Sequence, residues 1–180
     1  MWNTEHRYGL ISRLLHWGIA LLFFIQFALG ISLEELTEEG GGISSAFWLN
    51  LHTTIGILLV LLILTRILAS KIQIQPAYPD TMSPLQQKLA DVMKVLLNLL
   101  LLATALAGYF ALTADGDAPL FFGIEMPLFI APDESLHELL EEAHETLAFL
   151  SLMAILLHAA AAIKHHWVDK DDILKRMLGR

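Results

Sequence analysis

Cysteine is absent from the 180-residue sequence. This absence excludes disulfide bonds, iron–sulfur clusters and the covalent attachment of c-type haem through a Cys-x-x-Cys-His motif. Charged residues are also scarce, at 17% of the chain against 56% hydrophobic residues, and the mean hydropathy is +0.59. This composition is too apolar for an ordinary soluble domain, so lipid is the expected solvent.

Lysine and arginine are absent from residues 14–65 and 95–163, although the chain contains eleven of them. All eleven lie in residues 1–13, 66–94 and 164–180. Basic residues concentrate on the cytoplasmic side of membrane proteins, so this pattern favours four spans with both termini in the cytoplasm. The inner side is defined below as the side that carries these basic segments, and the outer side is its opposite.

Four apolar stretches have about the 20 residues that a helix needs to cross the hydrocarbon core. We predict spans at about 14–33, 50–69, 92–113 and 140–163, with outer loops at 34–49 and 114–139. Gly40, Gly41 and Gly42 mark the first of these loops. The fourth helix is expected to begin near Asp133 or Ser135, outside the hydrocarbon region. The first stretch lacks a small-x-small cleavage site, so we expect a retained helix.

Residues 1–180 are therefore predicted to form one membrane domain, an all-α integral membrane four-helix bundle. Its first partner is membrane lipid, and no nucleic-acid partner is expected. The apolar part of the second outer loop, residues 120–130, is expected to lie on the membrane surface.

Four histidines lie within or at the ends of these spans, and ionisable groups inside a membrane are costly and usually functional. His144 and His158 are fourteen residues apart, which places them within about 40° of one helix face and about 21 Å apart along the axis. The predicted topology puts His16 near the inner end of the first span and His52 near the outer end of the second. It therefore pairs His16 with His158 at an inner level and His52 with His144 at an outer level.

Two imidazoles from facing helices at each level can be the axial ligands of a haem iron, so the pattern predicts two b haems between the helices. Taken singly, each histidine could instead form a helix–helix hydrogen bond. A zinc site is less favoured, because each level offers two imidazoles and no evident carboxylate.

Other residues near these histidines are candidate cofactor contacts. Arg66 follows His52 by fourteen residues on the same helix face, where it could pair with a propionate of the inner haem or extend to the inner surface. Gly56, one turn after His52, would let a porphyrin approach the backbone, and Gly18 or Gly108 could do the same elsewhere.

Several segments resemble the bacterial cytochrome b561 family, and most closely its stand-alone, superoxide-oxidising members. They extend from the first span to the C-terminal tail. The matching segments are R-x-x-H-W at Arg13 to Trp17, H-x-x-x-G at His52 to Gly56, F-G-x-x-M-P at Phe122 to Pro127, H-E-T-L-A at His144 to Ala148, and H-A-A-A-A-x-x-H-H at His158 to His166.

The resemblance implies a multi-pass protein of the bacterial inner membrane with two b haems ligated by the four paired histidines. It implies that the outer haem accepts electrons from superoxide, releasing oxygen, and that the inner haem passes them to ubiquinone. His165 could then donate a proton to the quinone, and Lys164 or Lys94 could orient a carbonyl or serve only as an interfacial anchor. The family also contains cytochrome b subunits that carry electrons between quinone and partner redox proteins, so the fold alone does not identify the donor.

The outer loops favour a different donor from the one that the resemblance implies. They contain many Asp and Glu residues and no Lys or Arg, so they would repel the superoxide anion and attract a basic redox protein. A haem-free transporter or structural bundle is the remaining alternative.

Overall fold

Long apolar helices dominate the computed structural model, which describes residues 1–40 and 43–179. Gly41 and Gly42, part of the predicted first loop, lie outside the described residues. The elements are α1 (Leu10–Gly40), α2 (Ile43–Ile72), α3 (Pro84–Asp115), β1 (Leu120–Phe121), β2 (Ile124–Glu125), α4 (Glu134–Trp167) and α5 (Ile173–Leu178).

Within the described ranges, α1, α2, α3 and α4 are long and apolar enough to cross a membrane. Each contains one of the predicted spans and extends beyond it. Large apolar side chains lie exposed along all four, for example Leu21, Leu61, Leu99 and Leu157, of which Leu21 is 63% exposed. Water would not tolerate so many exposed apolar side chains, whereas lipid covers them at no cost. The chain is an all-α, multi-pass membrane protein.

Local sequence explains where the helices begin and end. Ser83 and Gln86 form a reciprocal capping box at the start of α3, and Pro84 occupies its first turn. Asp133 accepts a hydrogen bond from the Leu136 amide, so α4 begins at Glu134, inside the predicted interval. Gly116 ends α3 with φ 98°, a conformation in which a side chain would be strained.

The long helices pack mainly in two pairs, α1 with α2 and α3 with α4, while α2 also contacts α3. The buried centre contains Ile19, Leu59 and Ile63, of which Ile63 is only 1% exposed. Thr104 of α3 and Ser151 of α4 are hydrogen-bonded through their hydroxyls at 3.2 Å. These contacts fix the helix faces that carry the four histidines.

The inner ends of the helices are tied together by the two chain termini. Asn3 donates through its backbone and side chain to Gln73 and Ile74, in the segment that follows α2. From α5, Arg176 donates to the Ala77 carbonyl at 2.6 Å, and the Met177 carbonyl accepts from the Trp17 indole at 3.1 Å. The sequence did not predict α5 as a helix.

A two-stranded hairpin in the second outer loop is a further element that the sequence did not predict. Leu120 pairs with Glu125 and Phe121 with Ile124 in antiparallel register. Phe122 and Gly123 form the turn, with φ 50° and 81°. The hairpin lies against the outer part of α2, where Thr53 and Thr54, which follow His52, donate to the Leu120 carbonyl.

Candidate functional site

The inner level of the site consists of His16 on α1 and His158 on α4. Their ring centroids are 6.2 Å apart and the ring planes are inclined at 76°. Both residues are half-buried. The Trp17 ring packs edge-on against the His16 ring, with centroids 4.9 Å apart.

The outer level consists of His52 on α2 and His144 on α4. Their ring centroids are 6.1 Å apart and the planes are inclined at 75°. The two levels thus have nearly the same geometry, and each joins two different helices. The structure brings together both of the histidine pairs that the sequence suggested.

Contacts from α3 orient the His144 ring. Its Nδ1 lies 2.8 Å from the Thr104 carbonyl oxygen, which can only accept, so Nδ1 carries the hydrogen and Nε2 is left with a lone pair. A Cβ added at Gly108 would lie 2.7 Å from this ring. Gly108 therefore provides room for a histidine, where the sequence suggested room for a porphyrin.

His52 is positioned by α1. A Cβ at Gly30 would lie 3.3 Å from its Cε1. The side chain of Gln26 donates to the His52 carbonyl at 2.9 Å and passes over Gly56, where an added Cβ would be 3.4 Å from the amide nitrogen. His52 Nδ1 is buried and has no hydrogen-bond partner among the described residues. The predicted contact of Gly56 with a porphyrin stays a prediction.

Arg66 lies at the inner level, as its spacing from His52 suggested. Its Nη1 is 2.7 Å from His16 Nδ1. A guanidinium can only donate, so the ring nitrogen accepts in this arrangement. At Gly18, two residues after His16, an added Cβ would meet nothing within 4 Å.

His165 and Lys164, the predicted quinone-site residues, end α4 on the inner side. The His165 Nδ1 is 2.7 Å from Asp171 and 3.2 Å from Asp169. Lys164 donates to both oxygens of Asp169, at 2.8 and 2.6 Å. His165, Asp169 and Asp171 are close enough to share a metal ion, but Lys164 already supplies a balancing charge to this cluster.

A second charged cluster ties α3 to the preceding segment on the inner side. Lys94 donates to Tyr78 at 2.6 Å and to Asp91 at 2.9 Å, and Tyr78 donates to Asp91. Burial raises the pKa of the Tyr78 hydroxyl, and its bond to Asp91 acts in the same direction. Tyr78 therefore stays neutral over the physiological range.

Comparison with known proteins identifies the family. The family described as prokaryotic cytochrome b561 matches residues 7–180. The chain belongs to the prokaryotic cytochrome b561 family. It is 36% identical to cytochrome b561 homolog 2 of Escherichia coli strain K12, over 99% of this chain and 94% of that protein. It is 29% identical to cytochrome b561 homolog 1 of the same strain, over 97% and 98%. It is also 31% identical to the probable superoxide oxidase CybB of Yersinia pestis, over 96% of each chain.

As a cytochrome b561, the chain is a membrane electron-transfer protein of a family that binds b-type haem. An imidazole nitrogen lies about 2.0 Å from a bound first-row metal ion and about 1.1 Å from its ring centroid, so two axial imidazoles have centroids about 6.2 Å apart. The observed 6.2 and 6.1 Å agree with this separation. At both levels the ring separation is thus the one that a single metal ion between two imidazoles would need.

The sequence did not indicate several residues that position the histidines. Gly30, Gln26 and Thr104 contact the outer histidines or their backbone, but nothing in their own spacing indicated which helix face they share with those histidines. Asp169 and Asp171 follow His165 closely in the sequence. Acidic residues just after a basic helix end were the one available signal that they would pair with His165.

Proposed function

We propose that this cytochrome b561 holds one b haem at each level and moves electrons from the outer to the inner side of the bacterial inner membrane. Both termini lie in the cytoplasm. The support for two haem sites is the matched separation of two histidine pairs on different helices, 6.2 Å at the inner level and 6.1 Å at the outer level.

The proposed reaction oxidises superoxide on the outer side and reduces ubiquinone on the inner side. Two superoxide ions give two oxygen molecules and two electrons, and ubiquinone takes these electrons with two protons to become ubiquinol. One relative carries the name probable superoxide oxidase, which supports this substrate.

Haem b supplies an iron that alternates between the ferric and ferrous states. The chain's own residues orient the histidine ligands. The Thr104 carbonyl holds the His144 ring with its Nε2 available for a metal, and Gly30 and Gly108 allow both outer rings to enter the bundle. A hydrogen bond from the ring nitrogen that does not bind the metal fixes the tautomer and orientation of a ligating histidine.

His165 is the proposed proton donor to the quinone. It follows His158 by two helical turns, or about 10 Å. Its Nδ1 side is held by Asp171, so a protonated ring can release the proton on its Nε2 side and keep its orientation. Lys164 is the proposed hydrogen-bond donor to a quinone carbonyl. To bind it, Lys164 would give up its salt bridge with Asp169.

The proposal is tested on detergent-purified protein. A pyridine haemochrome assay is expected to give two b haems per chain, and stopped-flow mixing with superoxide is expected to reduce them rapidly. Added ubiquinone should reoxidise them. Absence of haem would refute the cytochrome assignment, whereas two haems that do not react with superoxide would refute only the donor.

A variant separates the two half-reactions. His165→Gln is expected to slow quinone-dependent reoxidation at least tenfold and to leave reduction by superoxide unchanged, because the lost proton donor serves only the quinone. His6→Gln, in the exposed N-terminal segment, is the control and should change neither rate. Equal slowing of both half-reactions would contradict the proton-donor role.

A second candidate function is that of a cytochrome b subunit between quinone and a partner redox protein. The absence of Lys and Arg from the outer segments favours it, because this surface attracts a basic partner. In that case a basic redox protein reduces the purified cytochrome at a rate that falls steeply with salt, and superoxide does not.

A further inference from the structure

The two levels differ in the charge that lies beside their histidines. At the inner level the Arg66 guanidinium is 2.7 Å from the His16 ring. At the outer level the His144 ring donates to the Thr104 carbonyl, the negative end of a peptide dipole. The first neighbour is a full positive charge, and the second is an electron-rich acceptor.

Charges farther away reinforce this difference. Around the outer level, α4 carries Glu141, Glu142 and Glu145, and residues 14–65 and 95–163 contain no Lys or Arg. At the inner level, Lys94 and Lys164 are paired with Asp91 and Asp169. Arg66, in contrast, has no salt-bridge partner among the described residues, and its half-buried position limits screening by water and salt.

We propose that Arg66 sets the reduction potential of the inner level above that of the outer level and so gives electron transfer its inward direction. The inference rests on the proposed two-haem function. A nearby positive charge stabilises the reduced, less positive state of a redox centre, and a hydrogen bond from a ligand to an acceptor stabilises the oxidised state. The first effect raises the potential of the inner level and the second lowers that of the outer level. Both therefore favour inward electron transfer.

The observed hydrogen bond also constrains what Arg66 does when a haem is bound. Here His16 Nδ1 accepts from Arg66, but a neutral ring that binds iron through Nε2 carries its hydrogen on Nδ1. Arg66 must then donate to another acceptor at this level. The guanidinium stays protonated in either arrangement, so its charge remains at the inner level.

The test is a spectroelectrochemical titration of full-length, haem-loaded protein. A His52→Ala background leaves only His144 at the outer level and is expected to remove the outer haem, so that the remaining potential belongs to the inner level. Arg66→Gln in this background is expected to lower that potential by about 59 mV or more, which is a tenfold loss in the inward equilibrium constant. Arg66→Lys keeps the charge and should retain most of the potential.

Arg7→Gln is the matched control, because it removes one positive charge from an exposed position on the inner side, where water screens it. In the same His52→Ala background it should leave the inner potential unchanged. The inference is overturned if Arg66→Gln keeps its inner haem with an unchanged potential, or if Arg7→Gln shifts it equally. It is also overturned if Arg66→Gln alone loses the inner haem, since Arg66 would then be an anchor. Wild-type protein without haem would instead refute the proposed function.

Discussion

Gly108 shows how one missing side chain positions a ligand. A Cβ at this position would lie 2.7 Å from the His144 ring, a distance that only a shift of the ring or of α3 could relieve. Gly108→Ala is therefore expected to act like His144→Ala and to reduce the haem content from two to one per chain. His16→Ala or His158→Ala should remove the inner haem instead.

Haem content and the potential of the remaining haem are measured on the purified variants. Leu106→Ala is the control, since Leu106 is on the same helix and 47% exposed. Gly108→Ala protein with two haems at unchanged potentials would show that the ring does not need this space.

For single residues, the sequence predicts the histidine pairs better than it predicts the residues that position them. Spacing along α4 and the direction of each span were sufficient to suggest both pairs. The support from Gly30, Gln26 and Thr104 depends on how neighbouring helices rotate about their axes, and apolar side chains surround all faces of a membrane helix, so hydropathy does not report that rotation.

Among the elements, the outer hairpin depends on hydroxyl groups of α2. Thr54 donates to the Leu120 carbonyl and accepts from the Phe122 amide, both within 3.3 Å. Thr53 donates to the same carbonyl at 2.9 Å. Thr54 also contacts Asn50 within α2.

Thr54→Val is expected to loosen the hairpin without changing the helices. The Phe122 amide loses its partner, and a penalty of about 1.4 kcal/mol makes its hydrogen exchange about tenfold faster. Thr65→Val is the control, because the Thr65 hydroxyl bonds only within α2, to the Leu61 carbonyl. Unchanged exchange at Phe122 would mean that the strand pairing alone holds the turn.

The long helices were predictable because about 20 apolar residues in succession have few other stable arrangements in lipid. The hairpin and α5 were not. Each strand has two residues, and the pairing depends on contacts with α2. Six residues are likewise too few for a helix to form alone, so α5 depends on contacts such as Trp17 with Met177.

For the whole molecule, the distribution of basic residues predicts the orientation in the membrane. Alkaline phosphatase is active only outside the cytoplasm, so a fusion after Arg180 should be inactive and a fusion within residues 34–49 should be active. Green fluorescent protein at the C-terminus should fluoresce. Activity of the C-terminal phosphatase fusion would reverse the topology and exchange the inner and outer levels.

The separation of the two histidine levels has a bioenergetic consequence. Fourteen residues on α4 place them about 21 Å apart along the axis, which is most of the hydrocarbon core. An electron that moves inward carries negative charge through that layer, and the proton that quinone takes up from the inner side neutralises it on the quinol, so one charge is separated across the membrane per electron. Each turnover would then charge the membrane. Moving one electron inward against a membrane potential of 100 mV costs about 2.3 kcal/mol. Under the proposed function, superoxide oxidation would thus contribute to the voltage that drives ATP synthesis and transport.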